Sequence, residues 1–275
     1  MRKTLLMVPI FLGLAGAAAD LSGNSFVNTS TAADLLSGQD STEPLDLVEF
    51  EARWQGTVYF YGWMSAMSGE TAFYDLPPVD FGITFEEFFE SLNFFFMGFG
   101  ELRRGRFGIA TDFFYSDVSS DVAGPLGILD ADLSSKLLIS TVMAEYRVWE
   151  QDKSSVDVMA GARLWRLDSE LDVKVGDGIF TDDVELVNTW VDPMIGVKTR
   201  LQGNSPFYLS GWAMIGGFGA ASKIDWDVFG GVGYEFRKKM SILVGYRAIG
   251  VDYEGDDLIF NVIQHGPMVG SVIDF

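Results

Sequence analysis

The strongest constraint on this chain is an alternation of apolar and polar residues that recurs throughout the sequence after residue 51. In one clear segment, Ile224, Trp226 and Val228 alternate with Asp225 and Asp227. A period of two matches a β-strand, whose successive side chains point to opposite faces, and does not match the 3.6-residue period of a helix. We therefore predict an all-β fold. The ten segments with this pattern, with approximate boundaries, are 52–66, 92–103, 106–118, 136–150, 155–167, 189–201, 206–218, 224–237, 240–252 and 259–275.

The connections between these segments alternate between two classes. Long connections at 67–91, 119–135 and 168–188 alternate with short ones of two to five residues, and two later connections on the long side, 219–223 and 253–258, are also short. Long loops on one side and tight turns on the other are typical of a transmembrane β-barrel, and an even strand number returns both termini to one side.

Charge is divided in the same way. The long-loop side (67–91, 117–135, 168–188 and 252–257) contains 21 acids and one base, Lys174. The short turns instead carry bases. These are Arg103, Arg104, Arg106, Lys153, Arg237, Lys238 and Lys239.

The composition favours a membrane barrel over a soluble β-sandwich. The chain has 23 Phe and 31 Gly, and its mean hydropathy is +0.18. A sandwich also alternates, but it does not need one face of Trp, Tyr, Phe and Val in nearly every strand. We predict a closed antiparallel transmembrane β-barrel of about ten strands over residues 52–275, with eight or twelve strands as alternatives.

The N-terminal residues have the layout of a secretory signal peptide. Arg2 and Lys3 precede an apolar run at 5–14, and Ala17–Ala19 offer a small-residue cleavage site. The run is too short for a membrane-spanning helix, which needs about 20 apolar residues. Residues 1–19 are therefore predicted to be removed. Residues 20–51, which contain seven acids and no base, are predicted to form a poorly ordered periplasmic leader.

The C-terminus carries a family resemblance. Phe275 ends the chain, and Ile273 and Val269 alternate back from it. With the signal peptide and the ten segments, this ending resembles the small porin-like or OmpA-like outer-membrane barrels of Gram-negative bacteria. The resemblance implies an outer-membrane location and a barrel assembly machinery that reads Phe275 and Ile273 as its signal. It implies no catalytic residue.

The face opposite the apolar one is predicted to point into the lumen. Seven bases and eight acids share it, so they should pair into a charged network. A barrel of about ten strands is narrow, which favours a largely occluded lumen, with a narrow charged constriction for small solutes as the alternative. The predicted lumen residues are Arg53, Glu101, Arg106, Asp112, Glu145, Arg147, Asp157, Arg163, Asp192, Lys198, Arg200, Asp225, Asp227, Glu235 and Arg247.

The first long loop contains a predicted short helix. Thr84 and Glu87 fit a helix capping box, and Phe85, Phe88 and Phe89 fall on one helical face. One hypothesis is a plug across the outer mouth, whose acids face bases of the lumen. The other is a surface helix on the barrel rim. The residues assigned to this helix are Phe85, Glu86, Glu87, Phe88, Phe89 and Glu90.

Several function classes are disfavoured by composition. The formal charge of −20 disfavours nucleic-acid binding, and the absence of Cys excludes thiolate chemistry. The single His, His265, lies in Gln-His-Gly-Pro, without the neighbouring Ser or Asp expected of outer-membrane hydrolases. We predict a non-enzymatic protein of envelope structure or surface interaction, with a narrow porin and an outer-membrane hydrolase as alternatives.

The acidic loops have two interpretations. They could be solvated surface loops, or they could bind Ca²⁺ or Mg²⁺ weakly, because these cations prefer several oxygen ligands. The candidate ligands are Asp177, Asp182, Asp183, Asp256 and Asp257. No other cofactor is predicted. The expected partners are outer-membrane lipids, lipopolysaccharide and the assembly machinery, and the oligomeric state is left open.

Overall fold

The computed structural model describes residues 53–73, 77–123, 129–175 and 180–275. The side chains at 73, 120–123, 129–133, 171–175 and 180–184 are not described. The predicted signal peptide at 1–19 and the predicted leader at 20–51 lie outside the described residues.

The described chain consists of β-strands and one short helix, as predicted. None of the helices in these ranges is long and apolar enough to cross a membrane. The elements, in chain order, are β1 (Trp54–Trp63), β2 (Ala66–Phe73), β3 (Val79–Ile83), α1 (Phe85–Glu90), β4 (Leu92–Arg104), β5 (Phe107–Ala123), β6 (Leu129–Gln151), β7 (Ser154–Val175), β8 (Phe180–Gln202), β9 (Phe207–Gly216), β10 (Ser222–Arg237), β11 (Met240–Glu254) and β12 (Leu258–Asp274).

Ten of these strands close into an antiparallel barrel, which confirms the predicted fold. The strands β4 to β12 pair in chain order, β1 pairs with β4, and β1 also pairs with β12. The closing register runs from Thr57 opposite Asp274 to Trp63 opposite Met268. Because the last strand meets the first, this ring has no free sheet edge.

The first predicted loop is partly strand. The strand is interrupted at Met64 and Ser65, which separate β1 from β2. The strand β2 then pairs with the outer half of β12, from Ala66 opposite His265 to Phe73 opposite Leu258. The short strand β3 pairs with β2. The predicted loop at 67–91 is therefore corrected to the β2–β3 hairpin followed by α1.

The polarity of the barrel wall is the reverse of that of a soluble protein. Large apolar side chains such as Ile195 and Val232 point outward and are about half exposed. Charged side chains such as Arg163 and Asp227 point inward and are fully buried. This arrangement suits lipid outside the wall and excludes the soluble sandwich. The protein is therefore an outer-membrane β-barrel.

Four consecutive strands, β5 to β8, continue together beyond the length that a membrane crossing requires. The strands β5 to β8 have 17 to 23 residues, whereas about 10 residues span the bilayer in a tilted strand. The predicted connections at 119–135 and 168–188 are corrected accordingly, because most of their residues extend these strands. Beyond the membrane the strands continue as a projecting end, which we call the outer extension (117–123, 129–136, 166–175 and 180–187).

Candidate functional site

The barrel interior is filled in three layers. A central layer of buried charges lies between a polar layer at the end that carries both termini and an aromatic layer at the outer end. We call the terminal end the periplasmic end, as in other outer-membrane barrels. Each layer draws side chains from several strands, because every second residue of a barrel strand points inward.

The central layer is built on two arginines. Arg163 on β7 donates to Asp225 at 2.6 Å, to Asp227 at 2.7 Å and to the Thr141 hydroxyl at 2.8 Å. All four of these side chains are almost fully buried. A charge removed from water is stable only when it is paired and hydrogen-bonded, and the Arg163 guanidinium has three such contacts.

Arg247 on β11 completes the central layer. It donates to Asp227 at 2.7 Å, to the Tyr61 hydroxyl at 2.9 Å and to Asp112. Asp227 therefore accepts hydrogen bonds from both arginines, and it also accepts one from Trp212 at 2.9 Å. Because Asp227 joins β7, β9, β10 and β11, the layer is one connected network.

The periplasmic layer consists of salt bridges with more access to water. Arg103 pairs with Glu101 at 2.9 Å and with Glu145 at 2.7 Å, and Lys198 bridges the same two carboxylates. Arg103 also pairs with Asp157 at 3.1 Å. Arg147 extends this layer toward the rim.

A second group of contacts completes the periplasmic layer. Arg200 pairs with Glu235 at 2.8 Å and lies 3.6 Å over the Tyr208 ring. Arg200 and Glu235, together with Arg103 and Lys198, line a cavity of about 300 Å³, which we call the vestibule. The vestibule is polar, and most of its charged side chains are paired with one another.

The outer layer is aromatic. Trp165 and Trp190 stack with ring centroids 5.8 Å apart, and Tyr253 stacks on Trp190 at 4.0 Å. Below them, Asp192 accepts hydrogen bonds from the backbone N–H and the hydroxyl of Ser222 at 2.8 and 2.6 Å. Among the described residues, the Trp190 indole N–H is the one buried side-chain polar group without a partner.

A second, much smaller cavity lies in the lumen. Above the vestibule, a cavity of about 20 Å³ lies against Asp112, Thr141 and Arg247. That volume is close to what one water molecule needs. At this level, the buried side chains of the central layer occupy the interior of the described barrel.

Most of the predicted lumen residues lie inside the barrel, and two do not. Arg53 precedes β1 and Arg106 lies in the β4–β5 turn, and both are exposed at the periplasmic rim. Both residues match the alternation of the inward positions of the strand that follows them, but each lies just before that strand begins. Arg103 was assigned to the turn and instead joins the network, because β4 continues to Arg104. Arg103 shares the odd-numbered phase of Glu101, which is the signal that would have identified it.

The predicted helix forms with its capping box. The Thr84 backbone N–H donates to Glu87 at 2.8 Å, and the Thr84 hydroxyl caps the Glu87 backbone N–H. Hydrogen bonds from the backbone N–H and hydroxyl of Thr84 hold the pKa of Glu87 below its ordinary value. Only Phe88 of the helix is buried.

The position of α1 favours a rim helix over a plug. Its acids are exposed, and the lumen bases Arg163, Lys198 and Arg200 are paired with carboxylates of the barrel strands. Phe85 and Phe89 are also exposed, so their apolar face meets the surroundings of the rim rather than the lumen.

The other predicted sites that have described side chains are at the surface. Phe275 is exposed beside Gly56, whose lack of a side chain makes room for the terminal ring, and Ile273 points outward on β12. Asp256 and Asp257 are exposed in the β11–β12 turn, and the predicted ligands Asp177, Asp182 and Asp183 have no described side chains. Within the described residues, no group of three His, Cys, Asp or Glu side chains could hold a metal ion.

His265 lies on the outward face. Its ring forms a 2.6 Å hydrogen bond with the Tyr246 hydroxyl, and both side chains are exposed. This position agrees with the alternation counted back from Phe275.

Comparison with known proteins concerns the fold alone. No protein-family model and no curated protein matches the sequence. Among solved structures, the outer membrane protease OmpT from Escherichia coli aligns with a TM-score of 0.49 and 9% identity over 82% of this chain and 97% of that chain. The translocator domain of the autotransporter NalP from Neisseria meningitidis aligns at 0.41 and 10%, over 83% and 91%. The attachment invasion locus protein Ail of Yersinia pestis aligns at 0.33 and 11%, over 81% and 98%.

Proposed function

We propose that this protein is a non-enzymatic outer-membrane barrel that does not conduct solutes and that serves envelope structure or surface interaction. The central layer is the observation that supports this proposal. Arg163, Arg247 and Asp227 are fully buried across the lumen and are held by hydrogen bonds from several strands. Opening a path would break these charge-assisted hydrogen bonds on several strands together, and the loss of a partner from a buried ion pair is strongly destabilising.

Single-channel conductance of the refolded mature protein in a planar bilayer tests this proposal. We expect no steady openings in the intact protein and none in a variant that lacks residues 84–92, because Phe88 is the one buried side chain of α1. An outer-membrane porin refolded by the same protocol supplies the positive control. Openings only in the deletion variant would show that α1 blocks a path, and openings in both proteins would establish a channel.

A narrow porin is the second candidate, and the vestibule favours it. This cavity of about 300 Å³ already occupies the periplasmic end of the barrel. A channel would require only the central layer to rearrange. In that case, substitution of Arg163 or Arg200 would change the conductance and ion selectivity.

The hydrolase alternative would depend on His265. This residue lies on the lipid-facing wall beside Tyr246, and neither side chain contacts the charged layers of the lumen in the described structure. A hydrolase would lose its activity in a His265→Ala variant. We favour the non-enzymatic assignment because the central carboxylates Asp112, Asp225 and Asp227 are engaged in salt bridges and Asp192 accepts hydrogen bonds from Ser222.

The proposed surface role belongs to the outer extension. Its outward positions Lys136 and Glu170 are exposed, and its inward positions Leu167 and Leu186 are buried. The extension is therefore a packed structure that presents charged side chains beyond the membrane. We propose lipopolysaccharide as a neighbour of this end, outer-membrane lipids around the apolar wall, and recognition of Phe275 by the assembly machinery.

A further inference from the structure

Exposed bases are concentrated on one half of the periplasmic rim, which we call the basic arc. The arc runs from the β10–β11 turn past the end of β12 and the start of β1 to the β4–β5 turn, and these elements are neighbours in the barrel. Its bases are Arg53, Arg104, Arg106, Arg237, Lys238 and Lys239, all of them exposed.

Within the basic arc, the three consecutive bases at 237–239 are not neutralised by acids of the described chain. One acidic side chain, that of Asp274, lies among these bases in the described chain. It accepts a hydrogen bond from the Thr57 hydroxyl at 2.7 Å. Arg237, Lys238 and Lys239 form no salt bridge with any described residue. On the opposite half of the rim, by contrast, Lys153 pairs with Glu235.

The depth of the basic arc in the membrane follows from the aromatic residues around it. Phe107 and Phe275 are 70% and 63% exposed on the outward face, and Phe236 directly precedes the β10–β11 bases. Such outward aromatic rings mark the boundary between hydrocarbon and headgroups. Trp54 belongs to the same belt, and Arg104 lies 5.7 Å over its ring. The bases therefore follow the belt at the depth of the headgroups.

We propose that the basic arc binds the phosphate headgroups of anionic phospholipids in the periplasmic leaflet. Arginine and lysine are the side chains that bind phosphate, and the three consecutive bases at 237–239 can contact one or more headgroups. The asymmetry of the rim would then fix lipids on one side of the barrel. This inference does not depend on whether the lumen conducts.

Lipid titration of the mature protein, followed by native mass spectrometry, tests the proposal. The probes are phosphatidylglycerol and phosphatidylcholine with identical acyl chains. We expect the wild type to bind phosphatidylglycerol more tightly. Each base near an anionic surface strengthens binding about fivefold, so the Arg237→Gln/Lys238→Gln/Lys239→Gln variant should lose about tenfold or more of this preference.

The matched control removes three bases from the outer half of the barrel, as Lys136→Gln/Arg166→Gln/Lys223→Gln. It has the same net charge as the test variant, and it should keep the wild-type preference. A second test variant, Arg53→Gln/Arg106→Gln, samples the other end of the arc, and heat-modifiable migration in gels verifies that each variant is folded. Equal binding of the two lipids by the wild type, or equal losses in the test and control variants, would overturn the proposal.

Discussion

Asp227 is the acceptor on which the central layer depends. One of its oxygens accepts from Arg163 and Arg247, and the other accepts from Trp212. Each arginine also has a second carboxylate, Asp225 or Asp112. The three carboxylates and two arginines leave one excess negative charge, which the indole N–H and hydroxyl donors help to stabilise.

We expect Asp227→Asn to destabilise the barrel by about 3 kcal/mol, because each of the two buried arginines loses its charge-assisted hydrogen bond to this shared carboxylate, although each keeps its second carboxylate. The measurement is urea unfolding in lipid vesicles, followed by tryptophan fluorescence. Glu150→Gln is the control, since Glu150 pairs with Arg147 at the exposed rim and should cost less than about 1 kcal/mol. Equal costs for the two variants would show that the central layer does not contribute to stability as the contacts indicate.

The inward position of these charges was predictable, whereas their pairing was not. Period two alone assigns Arg163 and Asp225 to the lumen. Their contact joins β7 to β10, which are not neighbours in the sheet. Such a contact depends on the barrel's curvature and on the relative level of distant strands, and local alternation contains neither.

At the scale of the elements, the long strands change polarity along their length. In the part of β7 that spans the membrane, the inward residues Asp157 and Arg163 are charged and buried. Farther out on the same strand, the inward Leu167 is buried and the outward Glu170 is exposed. The alternation continues, but its apolar phase moves from the outer to the inner face where water replaces lipid outside the wall. The acidic segments at 119–135 and 168–188 were therefore mistaken for loops.

This change of polarity predicts that an introduced charge on the outward face destabilises the membrane-spanning wall but not the outer extension. Ile195→Lys places an ammonium on the lipid-facing wall, and we expect a cost of about 2–4 kcal/mol if the residue lies near the midplane. Glu170→Lys places the same group on the outer extension, where water surrounds it, and should change stability by less than about 0.5 kcal/mol. Unfolding in vesicles of one composition compares the two. Similar costs would contradict a membrane boundary between these positions.

At the scale of the whole molecule, the two ends of the barrel differ in the compartment that they face. The sequence indicated this orientation through its turns and its charge, and the structure supplies surface positions that test it. The chain contains no Cys, so one introduced cysteine is a unique label. Asp256 in the β11–β12 turn and Lys239 in the β10–β11 turn are both exposed, at opposite ends of β11.

We expect a membrane-impermeant maleimide to label Asp256→Cys on intact cells. It should label Lys239→Cys only after the outer membrane is permeabilised, because that turn faces the periplasm. Ile195→Cys is the control for the wall, and it should remain unlabelled in both conditions since lipid covers its exposed side. Labelling of Lys239→Cys on intact cells, with Asp256→Cys protected, would invert the barrel, and the basic arc would then face the outer leaflet.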